Sequence, residues 1–326
     1  MRVIPNPEKF NFSKITYKHH RIIIPVYIPD SDDFYFSSLF KVFKLSIHSL
    51  LKTINGLNTS VTIINNNCKK EVTDYIDKLI EEKKIDKHVK LSSNYGKVYT
   101  ILSEAKGCYE PYITIADADV FYFNNWESEV FKILKTFPKI GVVSPVPSPH
   151  LFNYYNISFI VNNIFKLKKG QVLTARSFDL FAEGVNHSPT FFSTKKIDFK
   201  KEQFYVEKNE IKACVGAVHF IATYDRSVFN EISLQKPEFK FNVGDEGIFI
   251  DSYIDKMGLG RLSTTDSYAY HLGYSIPNWT KGYEFIESDF MFTENKTKNL
   301  EPKIGFAFFV LKKIIYKLLK KTHLIK

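Results

Sequence analysis

The chain has 326 residues, 44% of them hydrophobic and 16% aromatic, enough to bury one large core, or one core plus a small subdomain, which excludes a disordered polymer. Three cysteines, Cys68, Cys108 and Cys214, are widely spaced with no C-x-x-C pair, which argues against a zinc site or a disulfide framework and fits a reducing cytosol. The formal charge of +10 is unevenly spread, residues 1–7 lack the apolar core of a secretory leader, and no apolar run is long enough to span a bilayer.

In chain order, residues 21–28 read as a first strand, 36–54 as a helix and 61–65 as a second strand. A helix at 70–82, a short strand at 89–92, a helix at 98–105 and a strand at 112–116 come next. The strands are short, apolar and β-branched, as strands covered on both faces should be, and alternation with helices predicts an α/β layer with a mainly parallel sheet. In such sheets ligands sit beyond the C-terminal strand ends. Four polar segments would meet there: Pro25 to Pro29, Asn65-Asn66-Asn67, Asn94-Tyr95-Gly96-Lys97 and Asp117-Ala118-Asp119.

A helix at 126–136 and a strand at 140–144 precede a less regular stretch, residues 145–201, rich in Pro, Asn, Phe, Tyr and Lys, with a short apolar segment at 157–165. Long irregular insertions in compact domains are usually functional loops or lids. Order returns with a strand at 213–223 that carries His219 and a helix at 247–257. No internal repeat or low-complexity linker divides the chain.

The segment with the clearest chemistry is Asp117-Ala118-Asp119, at the end of the apolar run 112–116. Carboxylates delivered to a strand edge must be paired or hold a metal when buried. Hard oxygen ligands suit magnesium or manganese, which is commonly held by one or two carboxylates plus substrate phosphates. That points to a nucleotide diphosphate. Asn65, Asn67, Asn94 and Lys97 are donor-pocket candidates by their shared location, Lys97 being available to a phosphate; the same asparagines also suit ordinary turns. Trp279 is either a sugar-stacking ring or a buried anchor.

Taken together, Pro25-Val26-Tyr27, Asn65 to Asn67, Asp117-Ala118-Asp119, Gly216-Ala217-Val218-His219-Phe220, Gly244-Asp245-Glu246-Gly247 and Tyr270-His271-Leu272-Gly273 resemble the GT-A glycosyltransferases, most nearly the inverting family-2 type, over residues 20–275. The resemblance implies a GT-A fold, a nucleotide-sugar donor across the strand ends, with Pro25 and Tyr27 at its edge, and Mn2+ or Mg2+ at the D-x-D. Asp119 would bind the cation directly, Asp117 would reach the ribose or coordinate through water, and His271 looks like the late histidine that completes the metal site. Asp245 and Glu246 stand where the family carries an acidic pair that includes the general base. The usual order is Glu then Asp, so the reversed order leaves the base open between them, with Asp245 slightly favoured. UDP-sugars are the favoured donors, with GDP next, for a hexosyl- or N-acetylhexosaminyltransferase.

On this reading residues 1–300 form one GT-A domain, with a nucleotide-sugar half at 20–144 and an acceptor half at 145–275, and residues 301–326 form a basic amphipathic helix. From Glu301 to Lys326 seven lysines face one acid. On a helix, Lys313, Lys317, Lys320 and Lys321 gather on one side and Leu311, Ile314, Ile315 and Leu318 on the other, the pattern of an interfacial helix. The expected setting is the cytoplasmic face of a bacterial plasma membrane, with a glycan or lipid-linked acceptor of cell-surface polysaccharide synthesis; no nucleic-acid module accompanies the lysines. The Q-x-x-R-W motif of processive synthases is absent, which predicts transfer of single sugars. The alternatives are a nucleotidyltransferase and a non-catalytic GT-A-like nucleotide-binding partner.

Overall fold

The computed structural model describes residues 16–185, 198–233, 246–292 and 306–321. The first half contains β1 (His20–Val26), α1 (Phe34–Ser37), α2 (Leu39–Thr53), β2 (Thr59–Asn65), α3 (Lys70–Glu81), β3 (Lys87–Lys90), α4 (Lys97–Lys106), β4 (Tyr112–Ala116), β5 (Val120–Tyr122), α5 (Trp126–Thr136) and β6 (Ile140–Ser144). It continues with α6 (Ile157–Asn162), β7 (Lys168–Gly170), α7 (Ala175–Gly184), β8 (Gln203–Lys208), β9 (Ile211–Val215), β10 (Ile221–Asp225) and α8 (Ser227–Glu231). A π-helical turn, Gly247–Asp251, runs into α9 (Ser252–Lys256), after which come β11 (Gly260–Ser263), β12 (Ala269–His271) and α10 (Phe306–Lys321).

Among the described residues ten strands form one mixed sheet in the order β3-β2-β1-β4-β10-β6-β11-β9-β8-β7. The β3-β2-β1-β4 side is parallel throughout, as the apolar β-branched runs predict. β10 enters antiparallel between β4 and β6, and β9, β8 and β7 extend the far side antiparallel. Alternation along β1 feeds both faces: Ile22 and Ile24 belong to one buried cluster and Ile23 to the other. β1 pairs with β4 only as far as Ile23, while its pairing with β2 continues to Val26. Pro25 thus lies beyond the ladder with β4, where its missing N–H costs no pairing on that side, and the parting of β1 from β4 opens a crevice.

Two expectations are corrected. The stretch 213–223 is not one strand: β9 and β10 flank a loop at 216–220, and His219 lies on that loop. Gly216 has φ +123°, and a Cβ there would collide with the Ser148 carbonyl oxygen, so the backbone turns away at a position only glycine fills. The described part of 145–201 is also more regular than expected, containing α6, β7 and α7.

A second, two-stranded sheet pairs β5 antiparallel with β12. It sits on an aromatic cluster containing Phe121, Phe123 and Tyr270, against which Trp279 packs; Trp279 is therefore an anchor. The pairing carries His271 back to the end of β4, placing it opposite Val120.

Candidate metal and nucleotide site

Beyond the C-terminal ends of β1, β2 and β4 lies a cavity of about 330 Å³ whose walls include Pro25, Tyr27, Tyr35, Asn66, Asn94, Lys97, Asp117 and Asp119. Its rim is held by a small amide network. Asn66 Nδ2 donates to Asn94 Oδ1 at 2.8 Å, and Asn66 Oδ1 accepts from the Tyr95 N–H. Asn94 Oδ1 also accepts from the Gly96 N–H, and Gly96, with φ +80°, makes the left-handed step that starts α4. The first residue of that helix is Lys97, so the positive end of α4 and an ammonium face the same cavity as two carboxylates.

The acidic side is assembled by pairing between distant segments. The turn after β4 is tied to the loop before β10 by Asp117 N–H donating to the Phe220 carbonyl, and the Leu272 N–H donates to the Asp119 carbonyl at 2.7 Å. Through the β5–β12 pair His271 comes to lie next to Asp119. One ligand atom each from Asp117, Asp119 and His271 falls within 4.8 Å of the others, an arrangement suited to one cation.

The donor atoms of this cluster fit a hard divalent ion. His271 Nδ1 lies 3.0 Å from the Gly184 carbonyl oxygen, which only an N–H can satisfy, so Nε2 is the nitrogen left to serve as a ligand. That Nε2 is 3.4 Å from Asp119 Oδ2. Burial pushes the Asp119 carboxyl above the usual carboxylate range, His271 opposes this, and the like charge of Asp117 adds to it. Asp117 and Asp119 supply oxygens and His271 a borderline nitrogen, a donor set that suits manganese or magnesium.

Lys97 joins this acidic side to another. Its Nζ lies 2.5 Å from Asp117 Oδ1 and 2.9 Å from Glu246 Oε1. Burial disfavours its charge, but the two carboxylates outweigh that and hold the ammonium above its ordinary range. Burial likewise opposes a charged Glu246, yet Lys97 prevails and keeps that carboxyl below its usual value.

Behind Glu246 lies a cluster that sequence reasoning missed. His219 Nδ1 is 2.8 Å from Asp251 Oδ2, and the same carboxylate is paired with the Arg261 guanidinium; Asp251 and Arg261 are buried. Arg261 Nη2 donates to the Ala217 carbonyl at 2.7 Å, and its backbone N–H and C=O are both engaged by the Asn156 side chain. One guanidinium thus braces the His219 loop, the π-helical turn after Glu246 and β11. Burial, then the positive charge of Arg261, pushes the His219 imidazole down to about 4.

Of the residues singled out in the sequence, Pro25, Tyr27, Asn94, Lys97, Asp117 and Asp119 line the cavity, and His271 completes the acidic cluster. Glu246 reaches the same group through Lys97. Asp245 lies outside the described residues. Asn65 and Asn67 do not line the cavity. Asn65 is buried, donating to Thr73 Oγ1 and accepting from the Cys68 N–H, and Asn67 is an exposed left-handed turn residue with φ +67°. Asn66 stands on the wall in their place. Tyr35 was also missed; burial first, then Asp119 and Asp117, raise its phenol.

No protein-family model matches the sequence, and no curated protein matches it. Among solved structures, the chain is similar to the mannosyltransferase PcManGT from Pyrobaculum calidifontis in complex with GDP-Man and Mn2+, with TM-score 0.45 and 13% identity over 77% of this chain and 56% of that one. It is also similar to S. aureus TarS 1-349, with TM-score 0.43 and 13% identity over 78% and 60%. The same TarS fragment in complex with UDP gives TM-score 0.41 and 12% identity over 78% and 60%. The chain thus spans less than two thirds of the length of each.

Proposed function

We propose that the chain is an inverting, metal-dependent GT-A glycosyltransferase that moves one sugar from a nucleotide-sugar to a glycan or lipid-linked acceptor displayed at a membrane. The observation that carries the reading is the convergence of Asp117, Asp119 and His271 on one point at the mouth of the cavity, beside Lys97. A divalent cation there supplies Lewis-acid neutralisation of a diphosphate leaving group. The chain's own residues divide the remaining work. Asn66, Asn94 and Tyr35 shape the wall against which a nucleoside would lie, and Lys97 is drawn to the phosphates. That frees Glu246 to accept the proton of the acceptor hydroxyl, the alternative base being its neighbour Asp245, while that oxygen bonds to the anomeric carbon and the bond to the phosphate oxygen breaks. A single displacement of this kind inverts the anomeric centre.

In this scheme residues 20–144 hold the donor and 145–275 the acceptor, UDP-sugars are favoured, and the transferred unit is a hexose or N-acetylhexosamine for a cell-surface polysaccharide. Among the described residues no helix is long and apolar enough to cross a membrane. Calorimetric titration of UDP and of GDP, with Mn2+ and with EDTA, tests the donor side. Binding that requires the metal is expected; no binding of either nucleotide with the metal present overturns the reading.

A further inference from the structure

We propose that α10 is a docking element that lays the protein on an anionic lipid surface through a row of side chains the fold leaves uncovered. Among the described residues the helix packs on α6 by one face, with Phe309 and Tyr316 buried and Leu319 half-buried against the core. Lys312 lies on the same side, reaching over Gly258 and sensing the charge of Asp255. On the opposite side, at helical spacing, Val310, Leu311, Ile314 and Leu318 are 42%, 51%, 51% and 56% exposed. Lys313, Lys317, Lys320 and Lys321 form the exposed flank between the two faces.

The outward row is thus not a core stripe: the helix already has its packing partner, and the apolar residues point away from it. A contiguous apolar row with a basic flank restricts what can cover it. A second copy of the chain would set four lysines against four lysines. A nucleic acid would satisfy the lysines and leave the leucines and isoleucine in water. An anionic bilayer satisfies both, taking the apolar row into the acyl boundary while the ammonium groups stay at the level of the headgroups.

The inference deepens the membrane-acceptor part of the proposed function, and its test uses neither metal nor nucleotide, so the failure of one is distinct from the failure of the other. The full chain is co-sedimented with phosphatidylcholine vesicles containing or lacking phosphatidylglycerol. Binding to the anionic vesicles, falling with added salt, is expected. The combined variant Leu311→Asp, Ile314→Asp, Leu318→Asp and the combined variant Lys317→Glu, Lys320→Glu, Lys321→Glu should each weaken it about tenfold or more. All six side chains are on the exposed side of the helix, so circular dichroism and the melting midpoint should stay at wild-type values. A wild-type chain that remains in the supernatant, or apolar-row substitutions that leave sedimentation unchanged, would overturn the inference. So would a concentration-dependent dimer that the apolar-row substitutions abolish while vesicles bind nothing.

Discussion

The carboxylate of Glu246 and the ammonium of Lys97 are 2.9 Å apart, and the same ammonium lies 2.5 Å from Asp117. One lysine therefore joins the metal-ligand cluster to the candidate base. Lys97 keeps Glu246 ionised against the effect of burial. In Lys97→Met burial acts unopposed, the Glu246 carboxyl of the free enzyme rises, and the acid limb of the kcat/KM profile moves to higher pH. Loss of a hydrogen bond to a charged phosphate should also raise the donor KM about tenfold or more. A pH–rate series on the variant reads both effects, and an unmoved acid limb would detach Glu246 from proton transfer.

The base itself is assigned by paired substitutions. Glu246→Gln should preserve metal-dependent nucleotide binding and lower turnover by about a hundredfold or more, within the usual worth of a positioned general base. If Asp245→Asn gives that selective loss and Glu246→Gln does not, the base is Asp245.

The histidine of the acidic cluster should behave as a ligand held by its backbone partner. His271→Ala removes a nitrogen whose tautomer is set by the Gly184 carbonyl, and Mn2+ affinity should fall about tenfold to a hundredfold. Asp119→Ala should abolish metal-dependent nucleotide binding. Titration of Mn2+ monitored by electron paramagnetic resonance checks both, and equal affinity in the two variants and the wild type would remove these residues from the metal site.

Acid stability should report on His219. Asp251, Arg261, Glu246, Lys97 and Asp117 surround it electrostatically, and its imidazole is held near 4 against an ordinary value of 6.5. Between those values the unfolded chain binds the proton and the folded chain does not, so stability falls as the pH drops through this window, by up to about 3 kcal/mol. His219→Gln should flatten that part of the curve of melting temperature against pH. A slope identical to wild type would mean that other groups carry the acid sensitivity.

The strands and the D-x-D turn were readable because their signals are local: Ile22-Ile23-Ile24, Val61 to Ile64 and Ile113 to Ala116 need only the period and length of an apolar run. Register within a polar turn is a finer matter. Asn65, Asn66 and Asn67 are chemically identical, and which one faces the cavity depends on Asn65 being consumed by Thr73 and Cys68 and on Asn67 turning left-handed. The run 213–223 is apolar on either side of Gly216, so its division between β9 and β10 leaves no mark in periodicity; the cause is the close approach to the Ser148 carbonyl. The pairs Lys97 with Glu246 and His219 with Asp251 come from segments far apart in the chain, joined only by the order of the strands. No spacing encodes them. The face by which α10 packs on α6, where Phe309 and Tyr316 are buried, was hidden for a related reason, since it forms only in three dimensions.

The most direct test of the central claim is release of nucleoside diphosphate from a panel of UDP- and GDP-sugars, with Mn2+ or Mg2+ and with EDTA, by the wild-type protein and by Asp119→Ala. Release from one donor that EDTA abolishes and Asp119→Ala lacks is the predicted result. Release that persists undiminished in EDTA or in Asp119→Ala would contradict the assignment of Asp117, Asp119 and His271 as the centre of the reaction.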